Sequence, residues 1–163
     1  MHFLLLGKYE KFYLLVQLIL MKGTDILNRI LVAVDGSSYS RKAVEYAGEI
    51  AKKFNSELTL IYVLAVPRVE GAKEGDTDLG PIEDVGTKIL RDSKQILDQM
   101  GLKASTRLET GHPAETIVTV ADREEYSLIV IGGRGQSQVK SFLLGSVSDK
   151  VSHHAPCPVL IVR

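Results

Sequence analysis

The chain has 163 residues, which is enough for one compact domain and leaves little for a second. Its 45% hydrophobic and 25% charged residues are ordinary for a globular protein and exclude a disordered or fibrous chain. Lys and Arg total 20, as do Asp and Glu, so the overall positive charge that favours nucleic acid is absent, and the single cysteine fits a reducing cytoplasm.

The first 25 residues are expected to be an extension outside the domain, which we place at residues 26–163. Phe12 to Met21 reads FYLLVQLILM, about half the apolar length that a membrane-spanning helix needs. Lys22 to Asp25 follows in place of a signal-peptide cleavage site. Two interpretations are favoured: the segment packs on the domain or on a partner chain, or translation begins at Met21. Membrane attachment is the disfavoured third, and no membrane or nucleic-acid partner is expected.

From Arg29 onward, short runs of Val, Ile and Leu alternate with helical patterns. The runs are too short for core helices and are bounded by polar or turn residues, which predicts buried parallel strands. They are Ile30–Val34, Leu58–Val66, Leu128–Ile131 and Val159–Val162. Ala104–Glu109 alternates with period two and is predicted as a fifth, less buried strand.

Apolar residues between these runs recur at spacings of three and four, which predicts amphipathic helices. The first follows an N-cap at Ser37 or Ser38, and the second covers Ile82–Met100 and ends at Gly101, a suitable left-handed C-cap. The third begins at Pro113. Strands alternating with helices predict βαβ units and a sheet covered on both faces.

Two polar stretches are predicted to lie on the surface. Pro67–Pro81 holds glycines, prolines and charged residues without a period, so we expect a mobile loop after the second strand. The run Arg123-Glu124-Glu125 is expected to be a solvated helix end.

In an open α/β sheet, ligands bind beyond the carboxyl ends of the strands, where the strand order reverses. The first strand ends at Asp35, and the fourth runs into Gly132-Gly133-Arg134-Gly135. Nine residues later, Gly145-Ser146 begins another helical pattern. Because glycines let backbone N–H groups approach an anion and a helix N-terminus favours negative charge, this spacing predicts a phosphate cradle. Arg134 and the hydroxyls of Ser146 and Ser148 are expected to add donors.

Competing signatures are absent from the sequence. No Walker A string occurs, and a dinucleotide fingerprint starting at Gly133 meets Gln138 where its third glycine belongs. Neither Gly-x-Ser-x-Gly nor His-Glu-x-x-His is present, which removes the commonest hydrolase and zinc-protease motifs.

The chain resembles the ATP-binding branch of the universal stress proteins, whose signature is Gly, two residues, Gly, nine residues, Gly and then Ser or Thr. Gly132, Gly135, Gly145 and Ser146 fill every position. The resemblance covers about Arg29 to Arg163. It includes the segments Ile30–Ser37, Gly111–Glu115 and Cys157–Val162.

The resemblance implies a three-layer αβα sandwich with the Rossmann-like, adenine nucleotide alpha-hydrolase-like fold and a five-stranded parallel sheet in the order 3-2-1-4-5. It implies binding of ATP, ADP or AMP, with Mg or Mn held by the phosphates, and a homodimer formed through the last strand. Nucleotide binding is assigned by the resemblance to Ala33, Val34, Asp35, Val63, Gly132, Arg134, Gly135, Gly145, Ser146, Val147 and Ser148. Val63 would contact the adenine.

Other candidate residues have simpler interpretations. Asp35 is also suited to capping the helix that follows it, His112 to a turn, and His153 and His154 to a helix C-terminus. Cys157 is interpreted as an inert packed thiol.

The sequence shows no dedicated base or nucleophile, so we expect a nucleotide-dependent regulatory protein with at most slow ATP hydrolysis. One alternative is a nucleotide-free dimeric scaffold. Another is an ATP pyrophosphatase or nucleotidyl transferase on the related fold, although the motifs Ser-Gly-Gly-x-Asp-Ser and His-x-Gly-His are absent.

Overall fold

The computed structural model describes residues 27–65, 80–135 and 144–163. The predicted extension, most of the predicted loop Pro67–Pro81, and Val66 at the end of the second predicted strand lie outside these ranges. In chain order the elements are β1 (Arg29–Ala33), α1 (Ser38–Phe54), β2 (Glu57–Leu64), α2 (Gly80–Gln99), β3 (Ala104–Thr110), α3 (Pro113–Arg123), β4 (Leu128–Gly132), α4 (Ser146–His154) and β5 (Val159–Val162).

The five strands form one parallel sheet in the order β3-β2-β1-β4-β5. The register places Val32 of β1 between Leu60 of β2 and Val130 of β4. This order confirms the predicted fold class. The chain runs outward from β1 to β3 in one direction and returns to β4 on the other side, so the strand order reverses between β1 and β4.

The sheet is buried on both faces because helices cover each of them. Ile30 and Leu31 are consecutive in β1, point to opposite faces and are both 0% exposed. Ile30 belongs to the core cluster under α1 and α2, whereas Leu31 belongs to the cluster under α3 and α4. Strand β3 is mostly exposed beyond Ala104, as the weaker period-two pattern predicted.

The helix boundaries follow the predicted capping residues. The Ser37 hydroxyl oxygen accepts a hydrogen bond from Ser40 N at 3.1 Å, which makes Ser37 the N-cap of α1. Gly101, just beyond α2, has φ of 76°, and Pro113 occupies the first turn of α3. Helix α2 begins at Gly80, so the end of the predicted loop is helical.

The expectation of a solvated helix end at Glu124 is wrong. Its carboxylate pairs with Arg107 of β3 and lies 3.5 Å from Arg29 Nη2 of β1, and Tyr126 OH donates to it at 3.3 Å. The Arg29 guanidinium also stacks 4.6 Å from the centre of the Tyr126 ring. Glu124 is therefore half-buried because donors from two strands converge on the end of α3.

Among the residues in these ranges, no helix is long and apolar enough to cross a membrane.

Candidate functional site

A cleft of about 320 Å³ opens at the carboxyl ends of β1 and β4, where the strand order reverses. Its volume lies within the usual range for small-molecule sites, roughly 300–1,000 Å³. The lining includes all the residues to which the resemblance assigned a role: Ala33, Val34, Asp35, Val63, Gly132, Arg134, Gly135, Gly145, Ser146, Val147 and Ser148. The fold thus brings every predicted site residue to one cleft.

Main-chain hydrogen bonds hold the loop after β4 against α4 and β5. Gly133 N donates to Val162 O at 2.7 Å, which ties the loop to the end of β5. Gly145 N donates to Gly133 O at 2.8 Å, which ties the start of α4 to the same loop. The two glycine segments of the motif are therefore positioned by the sheet, although the residues between them lie outside the described ranges.

The N-terminus of α4 faces the cleft without a capping side chain. Its N-cap is Gly145, and the first intrahelical hydrogen bond runs from Asp149 N to Gly145 O at 2.9 Å. The N–H groups of Ser146, Val147 and Ser148 precede that bond and have no acceptor within the helix. Helix α1, by contrast, has its first turn capped by a serine hydroxyl. The α4 terminus therefore presents first-turn donors and the positive end of a helix dipole to the cleft.

Gly132 is required by packing within the protein. A Cβ at this position would lie 2.9 Å from both Ser40 N and Tyr39 C, which are main-chain atoms of α1. The first turn of α1 therefore rests directly on the end of β4, and a methyl group would push it away.

Gly145 is not required by the fold in the same way. Its φ of −65° and ψ of 151° suit any residue. A Cβ there would have its nearest neighbour, the Arg134 Cα, at 3.4 Å, which is ordinary contact. A side chain at this position would nevertheless occupy the front of the uncapped helix terminus. The absence of a side chain at Gly145 keeps that space open for a ligand.

Asp35 closes the turn between β1 and α1. Its Oδ1 accepts a hydrogen bond from Ser37 N at 2.9 Å, and its own N donates to Ser40 Oγ at 3.1 Å. The capping role is filled by Ser37, so the alternative in which Asp35 caps α1 is wrong. The other carboxylate oxygen, Oδ2, points toward Gly135, whose Cβ would lie 2.9 Å from it. The carboxylate is thus held at the mouth of the cleft beside the glycine loop.

Ser148 differs from Ser146 in what its hydroxyl does. The Ser148 hydroxyl donates to Gly145 O at 2.9 Å and approaches Gly133 O at 3.3 Å, and the residue is 2% exposed. Because a hydroxyl carries a single proton, Ser148 Oγ holds the loop and the helix together and does not supply the expected additional donor. Ser146 is exposed.

The opposite wall of the cleft is largely apolar. Val34 and Val63 were predicted there, and Ile61, Pro113 and Ile117 join them. Sequence reasoning also missed three further lining residues: Ser40, Tyr62 and Ile131. Ile61 and Ile131 flank predicted residues on strands already identified, so the sequence carried a signal for them. The same holds for Tyr62, which precedes Val63 on β2, whereas Ile117 reaches the cleft only because α3 packs beside it.

The remaining candidate residues have structural surroundings. His112 is the N-cap residue of α3, but its side chain makes no capping hydrogen bond. His153 Nε2 lies 3.8 Å from Oδ1 of Asp149, which is one turn earlier in α4. Burial raises the pKa of the Cys157 thiol, and a hydrogen bond from the Ile129 backbone opposes that rise. In the described part of the chain, no group of three or more His, Cys, Asp or Glu residues is arranged to hold a metal ion.

Comparison with known proteins identifies the family. A model of the universal stress protein family matches residues 27–163. The chain belongs to the universal stress protein family. Universal stress protein MJ0531 of Methanocaldococcus jannaschii is 35% identical to this chain over 154 residues, and the match covers 93% of this chain and 91% of the relative.

Two solved structures of the family are similar to this chain and contain nucleotides. A universal stress protein in complex with cAMP is 30% identical with a TM-score of 0.66, and the match covers 85% of this chain and 99% of that one. A universal stress protein from Archaeoglobus fulgidus in complex with dAMP is 25% identical with a TM-score of 0.61, covering 85% and 100%. Both bound molecules carry an adenine base and a phosphate.

Proposed function

We propose that this chain binds an adenine nucleotide, ATP or its ADP or AMP forms, in the cleft between β1 and β4. The observation that carries the proposal is the uncapped N-terminus of α4, in front of which Gly145 leaves space for an anion. The complexes of two relatives with cAMP and dAMP support the choice of adenine.

The cleft divides into a polar and an apolar side, which suggests how a nucleotide would lie. The phosphates would occupy the polar side, against the segments Gly132–Gly135 and Gly145–Ser148, with Arg134 adding positive charge. The base would pack on the apolar side against Val34 and Val63, and the ribose would lie near Asp35. An adenine ring packed between aliphatic side chains removes apolar surface from water on both of its faces.

A divalent cation would be held chiefly by the nucleotide. The described residues offer no cluster of metal ligands, and Asp35 is the one carboxylate among the described residues that line the cleft. Mg or Mn would therefore enter with the phosphates and neutralise part of their charge.

The same lining favours binding over rapid catalysis. The described lining contains no histidine, and one oxygen of Asp35 already accepts a hydrogen bond from Ser37 N. The described lining therefore offers no positioned general base, and we propose a regulatory protein that hydrolyses ATP slowly or not at all. Because Gly133 N bonds to Val162 O, the loop beside the phosphates is tied to β5, through which we propose that a cytoplasmic homodimer forms.

Isothermal titration with ATP and Mg²⁺ tests the binding proposal. Wild type should release heat with a Kd in the micromolar range, about −8 kcal/mol. Gly145→Val should bind at least about a hundredfold more weakly, because the side chain fills the space before the α4 terminus. Ser152→Val is the matched control, because Ser152 is exposed and lies in the last turn of α4, away from the cleft. This variant should bind ATP like wild type.

Two results would count against the proposal. Equal affinity in wild type and a folded Gly145→Val protein would remove the phosphate cradle from α4. Absence of heat from all three proteins, each shown to carry no prebound nucleotide, would favour the nucleotide-free scaffold. Sedimentation of the wild type separately decides the dimer: a single species of 17.9 kDa would contradict pairing through β5.

A further inference from the structure

Helix α1 carries an apolar stripe outside the core. Tyr46, Ile50 and Phe54 are spaced by four residues and so lie along one side of the helix. Tyr46 is 57% exposed, and Ile50 and Phe54 are half-buried. Together with charged neighbours they line a shallow groove of about 410 Å³. We call these three residues the α1 stripe.

The chain enters the domain next to this stripe. Leu27, the first described residue, packs against the same core cluster as Ile50, on the α1 side of the sheet. Asn28 O accepts a hydrogen bond from Glu57 N at 2.7 Å, and Glu57 follows shortly after Phe54 at the end of α1. Residues before Leu27 therefore leave the domain close to the Phe54 end of the stripe.

The segment before Leu27 contains its own apolar run. In residues 12–21 every position except Gln17 is apolar. The six Cα-to-Cα steps from Met21 to Leu27 reach about 20 Å when extended, whereas the stripe from Tyr46 to Phe54 is about 12 Å long. The run can thus reach the whole stripe, and it is too short to span a membrane, which takes about 20 apolar residues.

A relative contains a counterpart of part of this segment. The match to Universal stress protein MJ0531 covers 93% of this chain, more than residues 21–163 alone could supply. The similarity therefore includes some residues before Met21. The docking proposed below therefore concerns a segment that the relative shares in part.

We propose that residues 12–21 dock on the α1 stripe of the same chain. Docking would cover the apolar surface that Tyr46, Ile50 and Phe54 leave open to water. The proposal is independent of nucleotide binding, because the stripe and the cleft share no residue.

Trypsin cleavage of the full chain tests the docking. Lys11 and Lys22 flank the segment, and cleavage after them, followed by mass spectrometry, reports how often the segment is released. Tyr46→Glu places a charge in the stripe and should speed this cleavage about tenfold. Val85→Glu is the matched control, because Val85 is 52% exposed on α2 outside the stripe, and its cleavage rate should equal that of wild type.

A variant within the segment shows whether the two surfaces touch. Leu18→Glu should accelerate cleavage to a similar extent, and the double variant Tyr46→Glu with Leu18→Glu should be no faster than either single variant. Unchanged cleavage in Tyr46→Glu, or independent effects that multiply in the double variant, would overturn the proposal. A different subunit number for Tyr46→Glu and wild type on sedimentation would also overturn it, because a second copy of the chain would then be the occupant of the stripe. Flotation of wild type with vesicles of phosphatidylcholine and phosphatidylglycerol would instead identify a lipid surface.

Discussion

Substituting Gly132 and Gly145 separately distinguishes a glycine needed for packing from one needed for a ligand. At Gly132 a Cβ would lie 2.9 Å from two main-chain atoms of α1, whereas ordinary contacts begin at 3.4 Å. The start of α1 must therefore shift by about 0.5 Å in Gly132→Ala, and overpacking of this kind costs about 1–3 kcal/mol. For a chain of this length that corresponds to a fall in Tm of roughly 2–12 °C.

Gly145→Ala should behave differently. The added Cβ has its nearest neighbour at 3.4 Å, and the backbone conformation suits alanine. The free energy of unfolding should change by less than about 1 kcal/mol, because the weaker N-cap is partly offset by the lower entropy of the unfolded chain. Affinity for ATP should nevertheless fall, since the methyl group enters the space before the α4 terminus.

Urea unfolding followed by far-ultraviolet circular dichroism, without nucleotide, measures both variants against wild type. The expected order of stability is wild type, Gly145→Ala and then Gly132→Ala. If Gly132→Ala is as stable as wild type, or if Gly145→Ala is the less stable variant, the assignment of the two glycines is refuted.

Three further results follow from the structure. Glu124→Gln should lower the free energy of unfolding by about 1 kcal/mol in urea titrations, with a smaller loss at high salt, because the pairing with Arg107 is half exposed. Leu97→Ala should cost about 2–5 kcal/mol in the same assay, since Leu97 is fully buried where α2 packs against Gly48 of α1; a loss below 1 kcal/mol would contradict that packing. Because burial raises the pKa of the Cys157 thiol, its alkylation by iodoacetamide at mildly alkaline pH should be slower in the folded protein than in urea, and equal rates would refute the burial argument.

The fold was predictable because its signals are local. Runs such as Leu128–Ile131 are buried on both faces and therefore continuously apolar, which is typical of parallel strands. The caps at Ser37 and Gly101 and the proline at the start of α3 each depend on the conformation of one or two residues. The strand order came from the family resemblance, since periodicity does not specify which strands are neighbours.

The sequence predicted which residues line the site, but it did not predict what each of them does there. The glycine spacing placed Gly132 and Gly145 in one cleft, yet only the structure shows that one supports α1 and the other leaves space at α4. The hydrogen bond from Ser148 to Gly133 O and the contact of Ser40 with Asp35 depend on side-chain orientation between separate elements. Glu124 was misinterpreted for the same reason, because its partners lie on distant strands.

Amide chemical shifts offer the most direct test of the claim that the α4 terminus holds phosphates. In ¹⁵N-labelled protein, ATP with Mg²⁺ should shift the N–H resonances of Ser146, Val147 and Ser148 strongly, because charged oxygens become their acceptors. Adenosine, which has the base and ribose but no phosphate, should shift Val63 while leaving these three nearly unchanged. If ATP and adenosine perturb the α4 terminus equally, or if ATP leaves it unperturbed, phosphates do not bind there and the account is contradicted.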